Sequence, residues 1–216
     1  MLEHITFESA PNPQHSIIWL HGLGADGGDF LPIAQELGLE KPVRFIFPHA
    51  PTMPVTINGG YVMRTWYDIF SLEIGSPQDD AGIRRSQAEI EMLIAQEVAR
   101  GVTSENILLA GFSQGGAIVL HTALRHPQKL AGVLALSTYL PLHATVESER
   151  SVANTDIPIF MAHGHFDTVI KPEIAIASKN KLASMGYFVD WQEYAMAHSV
   201  CEDEILHMRR FIMANL

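Results

Sequence analysis

The sequence holds a single cysteine, Cys201, so it has no internal disulfide and no set of thiolates for a structural metal. Positive charge is scarce as well. Fourteen Lys and Arg stand against 24 Asp and Glu, a net charge of −10. A nucleic-acid partner needs its phosphates neutralised by cations, and this balance excludes it. No apolar run approaches the roughly eighteen residues of a membrane span, so stable membrane insertion is not expected. The first residues, Met1-Leu2-Glu3-His4-Ile5-Thr6-Phe7-Glu8, carry no basic stretch followed by an apolar one, so no secretory signal is read there. A cytoplasmic protein is the expectation. No repeat, low-complexity tract or linker interrupts the chain. Its 216 residues, 47% hydrophobic, are enough for one core and are read as one domain, 1–216.

Short apolar runs and helix-like segments alternate along the chain. That pattern predicts an α/β protein with a largely parallel central sheet and helices on both faces. Strands are expected at 16–20, 43–47, 107–110, 132–137, 157–162 and 188–194. The first feeds a glycine-rich loop, His21-Gly22-Leu23-Gly24, then a helix capped by Asp29 and ended at Gly38. A long helix is expected over 80–100, with Ile90, Leu93, Ile94 and Val98 on its buried face. Ser199-x-x-Glu202 reads as a capping box for the last helix. Residues 48–79 are punctuated by prolines, and Asn58-Gly59-Gly60 between two apolar runs is a hairpin signal. A connection this long, about 50–78, is usually functional.

The chemistry centres on Gly111-Phe112-Ser113-Gln114-Gly115, which follows an apolar strand and precedes a helix. That context is a nucleophile elbow, in which a sharp strand-to-helix turn lifts the serine above the sheet edge. The pentapeptide alone arises by accident about one time in ten in a chain this long, so its partners decide the matter. Ligands in such sheets bind beyond the carboxyl ends of the strands, and the expected chain order is nucleophile, acid, histidine. Asp156 precedes its strand, Asp190 lies within one and Asp203 opens a helix. Asp167 follows the strand at 157–162 and fits. His121, His126 and His143 come too early, His163 and His165 precede the acid, and His207 is mid-helix. His198 follows the strand at 188–194 and fits. The N–H of Gln114 and that of Leu23, in the early glycine loop, are the expected oxyanion donors. His21 is read as shaping that loop.

Competing readings exist. His163 and His165 could be a metal pair, but one intervening residue on a loop is a poor ligand pattern, and no metal or other cofactor is expected. Cys201 reads as a small helix-face residue rather than a nucleophile. Met63, Trp66, Ile69, Phe70, Leu72 and Ile74 crowd the proline-rich connection, where they are core or an acyl-binding wall. Met63, Phe70, Leu72 and Ile74, with Val169 beside Asp167, form the candidate substrate wall.

Block by block the chain resembles the phospholipase/carboxylesterase family that includes the acyl-protein thioesterases, in particular its bacterial carboxylesterases. The blocks are Trp19 to Gly27, Phe47 to Pro51, Pro54 to Gly60, Arg64 to Ile69, Gly111 to Gly116, Leu136 to Pro141, His163 to Val169 and His198 to Cys201. The resemblance implies an α/β-hydrolase fold. It also implies Ser113, Asp167 and His198 as a triad, Leu23 and Gln114 as oxyanion donors and Trp66 in the acyl pocket. It further implies a flexible loop after Trp66, and often a homodimer. Ala197 stands where the family usually has glycine, and Phe166 where a smaller or polar residue is common.

The expected activity is hydrolysis of carboxylic esters, with thioesters within reach, through an acyl-enzyme on Ser113. Activity should fall as pH drops through the ordinary histidine range near 6.5. Alternative classes are a non-catalytic binding module, an acyl transferase, and an enzyme that contacts membranes peripherally to act on lipidated protein or lysolipid.

Overall fold

The structure, a computed structural model, describes residues 2–73 and 75–216. Six strands run parallel in the order of a doubly wound sheet: β2 (His15–Leu20), β3 (Val43–Pro48), β6 (Ile107–Phe112), β7 (Gly132–Leu136), β8 (Ile159–Gly164) and β9 (Val189–Tyr194). A seventh, β1 (His4–Glu8), pairs antiparallel with β3 at one edge. The order across the sheet is β1-β3-β2-β6-β7-β8-β9. β1 has no counterpart in the sequence reading, because its mixed burial gives no apolar run to detect.

Alternation along each strand builds two cores, since successive side chains point to opposite faces. Ile18, Leu20, Leu109, Val133, Ala135 and Met161 face one side. Ile17, Trp19, Leu108, Leu134, Leu136 and Phe160 face the other. The first face is covered by α2 (Asp80–Ala99), α3 (Gln114–Arg125) and α5 (Pro172–Ser184), the second by α1 (Leu31–Glu36) and α6 (Glu202–Asn215). Between the faces, β6 is the central strand, and Gly111 pairs with Leu20 on one side and Ala135 on the other. A short α4 (Val146–Glu149) joins α3 through Glu149, whose carboxylate accepts from Arg84, Arg125 and Thr145. These bonds hold Glu149 ionised, down to about 2.

Several local expectations are corrected. α1 begins after Phe30, with Pro32 in its first turn, and Asp29 does not cap it. Val98 is 38% exposed, and the buried face of α2 instead continues through Ile83, Ser86 and Glu97. Ser199 lies two residues outside the N-cap of α6, which is Cys201. The strand expected over 157–162 starts after Pro158, as β8 at Ile159, and runs on to Gly164. Residues 52–64 form a hairpin, β4 (Thr52–Val55) and β5 (Tyr61–Arg64), whose turn carries Gly59 and Gly60 at positive φ.

Near the start of α6 the buried Glu204 has, among the described residues, no well-aligned partner on either carboxyl oxygen. Burial pushes its pKa up to about 8, and only the nearby Cys201 N–H pulls the other way. The folded pKa lies above the unfolded value, so the carboxyl stays neutral in the fold. Its effect is absent below about 4.5. Between 4.5 and 8 the unfolded chain ionises first, and stability is lost as pH rises. Glu204→Gln removes this ionisation, so the stability difference between variant and parent should move in the variant's favour by about 3 kcal/mol from pH 4.5 to pH 7. Melting curves from pH 5 to 8 would check it. A gap that does not widen with pH would refute it.

Candidate active site

Ser113 stands between β6 and α3 at φ 55° and ψ −121°. An L-residue is strained there and holds such a backbone only where its surroundings fix it. Its N–H donates to Leu136 O at 2.8 Å, and its carbonyl accepts from Thr138 Oγ1 at 2.6 Å. The turn is tight enough to forbid side chains on its flanks. A Cβ on Gly111 would lie 2.5 Å from the Gly115 backbone, and one on Gly115 would lie 2.5 Å from Leu20 O and His21 O. Both glycines are therefore demanded by close approach.

The three residues drawn from distant parts of the chain meet at the carboxyl edge of the sheet. His198 Nε2 is 2.9 Å from Ser113 Oγ, and His198 Nδ1 is 2.7 Å from Asp167 Oδ2. A carboxylate only accepts, so the imidazole proton sits on Nδ1, and the Nε2 lone pair faces the serine hydroxyl. Asp167 is buried, and its Oδ1 accepts from the N–H groups of Val169 and Ile170, each at 2.9 Å. Phe112 packs on the His198 ring, with centroids 4.7 Å apart. This arrangement can move a proton from a hydroxyl to an imidazole and hold the resulting imidazolium beside a fixed negative charge.

The glycine loop after β2 lies against the serine. A Cβ on Gly22 would come within 3.4 Å of Ser113 Cβ. His21 sets the loop's orientation. Its Nδ1–H donates to Gly22 O at 2.7 Å, and its Nε2 accepts from Ala50 N–H at 3.0 Å. Burial, chiefly, pulls its pKa down to about 4, so the ring is neutral and this tautomer is fixed. Among the described residues no peptide bond is cis. In a planar trans peptide the carbonyl and the next N–H point in opposite directions. Holding Gly22 O toward His21 therefore turns the Leu23 N–H away from it. Gln114 opens α3, where main-chain N–H groups and the positive end of the helix dipole gather.

A groove of about 510 Å³ adjoins the site at Ile170, although none of Ser113, Asp167 and His198 lines it. Leu72, Leu140, Leu142, Ile170 and Ile174 make it mainly apolar. Ile170 joins it directly to the site through its N–H bond to Asp167. Of the residues expected to contact substrate, Leu72 lines this groove. Trp66 does not. It is fully buried as a strut, its Nε1–H donating to His21 O at 2.8 Å and its own carbonyl accepting from Ser86 Oγ. Met63 is half-buried, close to Gly24 and Asn58. Phe70 and Val169 are exposed and outside the groove lining, and Ile69 is core. Ile74 lies outside the described residues.

Residues 3–216 match the family described as Phospholipase/Carboxylesterase. The chain belongs to the phospholipase/carboxylesterase family. Acyl-protein thioesterase 1 of Mycosarcoma maydis is 38% identical, over 94% of this chain and 92% of the relative. Acyl-protein thioesterase 1 of Yarrowia lipolytica is 36% identical, over 93% and 92%. Among solved structures, SOBER1 of Arabidopsis thaliana superposes with a TM-score of 0.89 at 31% identity, covering 93% of this chain and 98% of that one. Acyl-protein thioesterase 2 of Zea mays gives 0.84 at 26%, covering 98% of each. The fold is that of the α/β-hydrolases, and membership makes the chain a serine hydrolase of carboxylic esters.

Within this family frame, the side chain of Gln114 has a role that the sequence reading missed. Its Oε1 accepts from Trp66 N–H at 2.9 Å, and its Nε2 donates to Tyr67 O at 2.7 Å and Thr65 Oγ1 at 2.8 Å. The residue whose N–H opens α3 thus also fixes the 65–67 loop. The departure at Ala197 has little consequence, because the residue is exposed and its φ is not positive. Phe166 is exposed at the site's rim, 66% accessible. His163 is buried with Nε2 on Ile170 O, whereas His165 is exposed. Among the described residues no group of three or more His, Cys, Asp and Glu could hold a metal ion, and no helix is long and apolar enough to cross a membrane.

Proposed function

We propose that this protein hydrolyses esters of apolar acyl groups, thioesters included, through an acyl-enzyme on Ser113. The observation that carries the reading is the continuous Ser113–His198–Asp167 hydrogen-bond chain beside an apolar groove. Ser113 Oγ attacks the acyl carbonyl carbon while His198 Nε2 takes its proton. The carbonyl oxygen becomes an oxyanion, held by the N–H groups of Leu23 and Gln114, each worth a few kcal/mol of transition-state stabilisation. The C–O or C–S bond to the leaving group then breaks, and His198 returns the proton to the departing alcohol or thiol. Water, deprotonated by His198, attacks the acyl-enzyme, and the acid leaves as Ser113 recovers its proton. No step calls on a metal or other cofactor.

A series of nitrophenyl esters from two to sixteen carbons tests the substrate side. Leu72→Glu places a charge in the apolar wall, and it should cut kcat/KM for chains of eight carbons and longer by about tenfold or more while acetate changes little. Equal losses across the series would mean that the groove does not hold the acyl chain.

A second reading has one observation behind it. The hairpin exposes Tyr61 and Val62 at 70% and 57%, an apolar tip that suits peripheral contact with a lipid surface. The acyl-protein thioesterase relatives make lipidated substrates at such a surface a reasonable alternative. Co-sedimentation with liposomes, lost in Tyr61→Ser with Val62→Ser, would support it. No liposome binding by the parent would end it.

A further inference from the structure

Tyr67 follows the buried Trp66 strut, and Tyr139 follows β7 at the same carboxyl edge of the sheet as the serine turn. Their hydroxyls meet at 2.7 Å. Tyr67 is buried, at 2% exposure, while Tyr139 is half-buried and lines the groove. Burial raises the pKa of both phenols, so both keep their protons.

The pair therefore has two O–H protons and one contact between them. If Tyr139 donated, the Tyr67 proton would be left inside the protein, where the described residues offer its hydroxyl no other partner. An unmet buried donor costs about 1–3 kcal/mol. If Tyr67 donates, its proton is satisfied and the Tyr139 proton is turned away from Tyr67, on the groove side. Tyr67 is held for this role, since its backbone carbonyl accepts from Gln114 Nε2 at 2.7 Å and Thr65 Oγ1 at 2.6 Å.

Three of the groove's other polar side chains have partners, while Ser71, Glu73, Ser76 and His143 also line it. Ser178 Oγ donates to Ile174 O and accepts from Leu140 N–H. Gln78 Oε1 accepts from Leu142 N–H, and Lys181 pairs with Glu147. Among the described residues no acceptor takes the Tyr139 proton, and Leu140 and Ile170 line the groove with it.

We propose that Tyr139 is a specificity-determining residue that donates a hydrogen bond to an oxygen of the substrate chain lying in the groove. The enzyme would then favour esters whose chain carries an ether, keto or hydroxyl oxygen at one particular depth. The inference rests on the groove being the substrate site.

The test uses nitrophenyl octanoate and a set in which one ether oxygen replaces successive methylenes. In the parent enzyme one ether should exceed its neighbours on either side in kcat/KM by about three- to tenfold, the range of one neutral hydrogen bond. Comparing ethers with ethers removes the general cost of desolvating the oxygen. Tyr139→Phe should flatten the profile, each ether being read relative to octanoate in the same variant. Tyr67→Phe should keep the peak, because Tyr139 retains its own proton. A flat profile in the parent, or a peak that survives in Tyr139→Phe, overturns the proposal. The parent profile decides even if that variant does not fold. Failure of the parent to turn over octanoate at all would overturn the ester-hydrolase reading instead.

Discussion

Ser113→Ala will lower the turnover of a short nitrophenyl ester by about 10⁵- to 10⁶-fold, the scale seen when the nucleophile of a serine triad is removed. The size follows from the arrangement. With Oγ gone, His198 Nε2 has lost the hydroxyl it bonds at 2.9 Å. The imidazole and Asp167 can at best recruit a water, which has no fixed position facing the carbonyl. Stability should hold or rise slightly. The strained φ of 55° is fixed by bonds to Leu136 O and Thr138 Oγ1 that do not use the side chain. A fluorophosphonate probe should label the parent and leave the variant unlabelled. Retained turnover would move the nucleophile elsewhere, and labelling at Cys201, which caps α6 three residues past His198, would name the replacement.

The legible part of this protein is the part where chemistry and topology constrain residue type together. The elbow was readable because close approach at Gly111 and Gly115 admits only glycine, and the strand-to-helix switch around Ser113 shows in the hydrophobic pattern. Asp167 and His198 were readable because each sits just past a strand, and chain order removed the other candidates. The alternation of two apolar faces made the parallel sheet visible, whereas β1, with no buried residue, left no trace. Helix ends were misread where a cap was inferred from residue type alone. Asp29 and Ser199 are good capping residues that stand outside the helices they seemed to open.

The substrate wall was harder for a physical reason. Apolar character says that a side chain avoids water, and core and pocket satisfy that equally. Trp66 went to the core and Leu72 to the groove, and Phe70 stayed exposed. The test that found Asp167 and His198, position just beyond a strand end, also marks Tyr139 after β7. A tyrosine there gives no signal by type, because its ring suits a core as well as a pocket. The side chain of Gln114 escaped for a similar reason, since the elbow motif directs attention to its backbone N–H.

Asp167→Asn should lower kcat by about 10³- to 10⁴-fold with the fold intact, the loss expected when a triad histidine is held in the wrong tautomer. The two carboxylate oxygens of Asp167 have different work. Oδ1 accepts from Val169 and Ile170 N–H, and an asparagine carbonyl can take over both bonds. Oδ2 accepts from His198 Nδ1 at 2.7 Å. His163 Nε2 lies 3.3 Å from the same oxygen and gives its proton to Ile170 O at 2.8 Å. The amide nitrogen therefore lands where two imidazoles present donors. His163 is locked by its carbonyl partner. His198 is the one free to respond, by moving its proton to Nε2. The histidine then points a donor at Ser113 Oγ and can no longer take its proton. The readouts are a melting temperature close to the parent's and retained binding of a non-hydrolysable ester analogue, together with the collapse in kcat. A variant that keeps more than about a tenth of parental kcat would show that Asp167 does not set the tautomer. A variant that also fails to melt cooperatively would place the importance of Asp167 in folding, through its two bonds to the turn after β8.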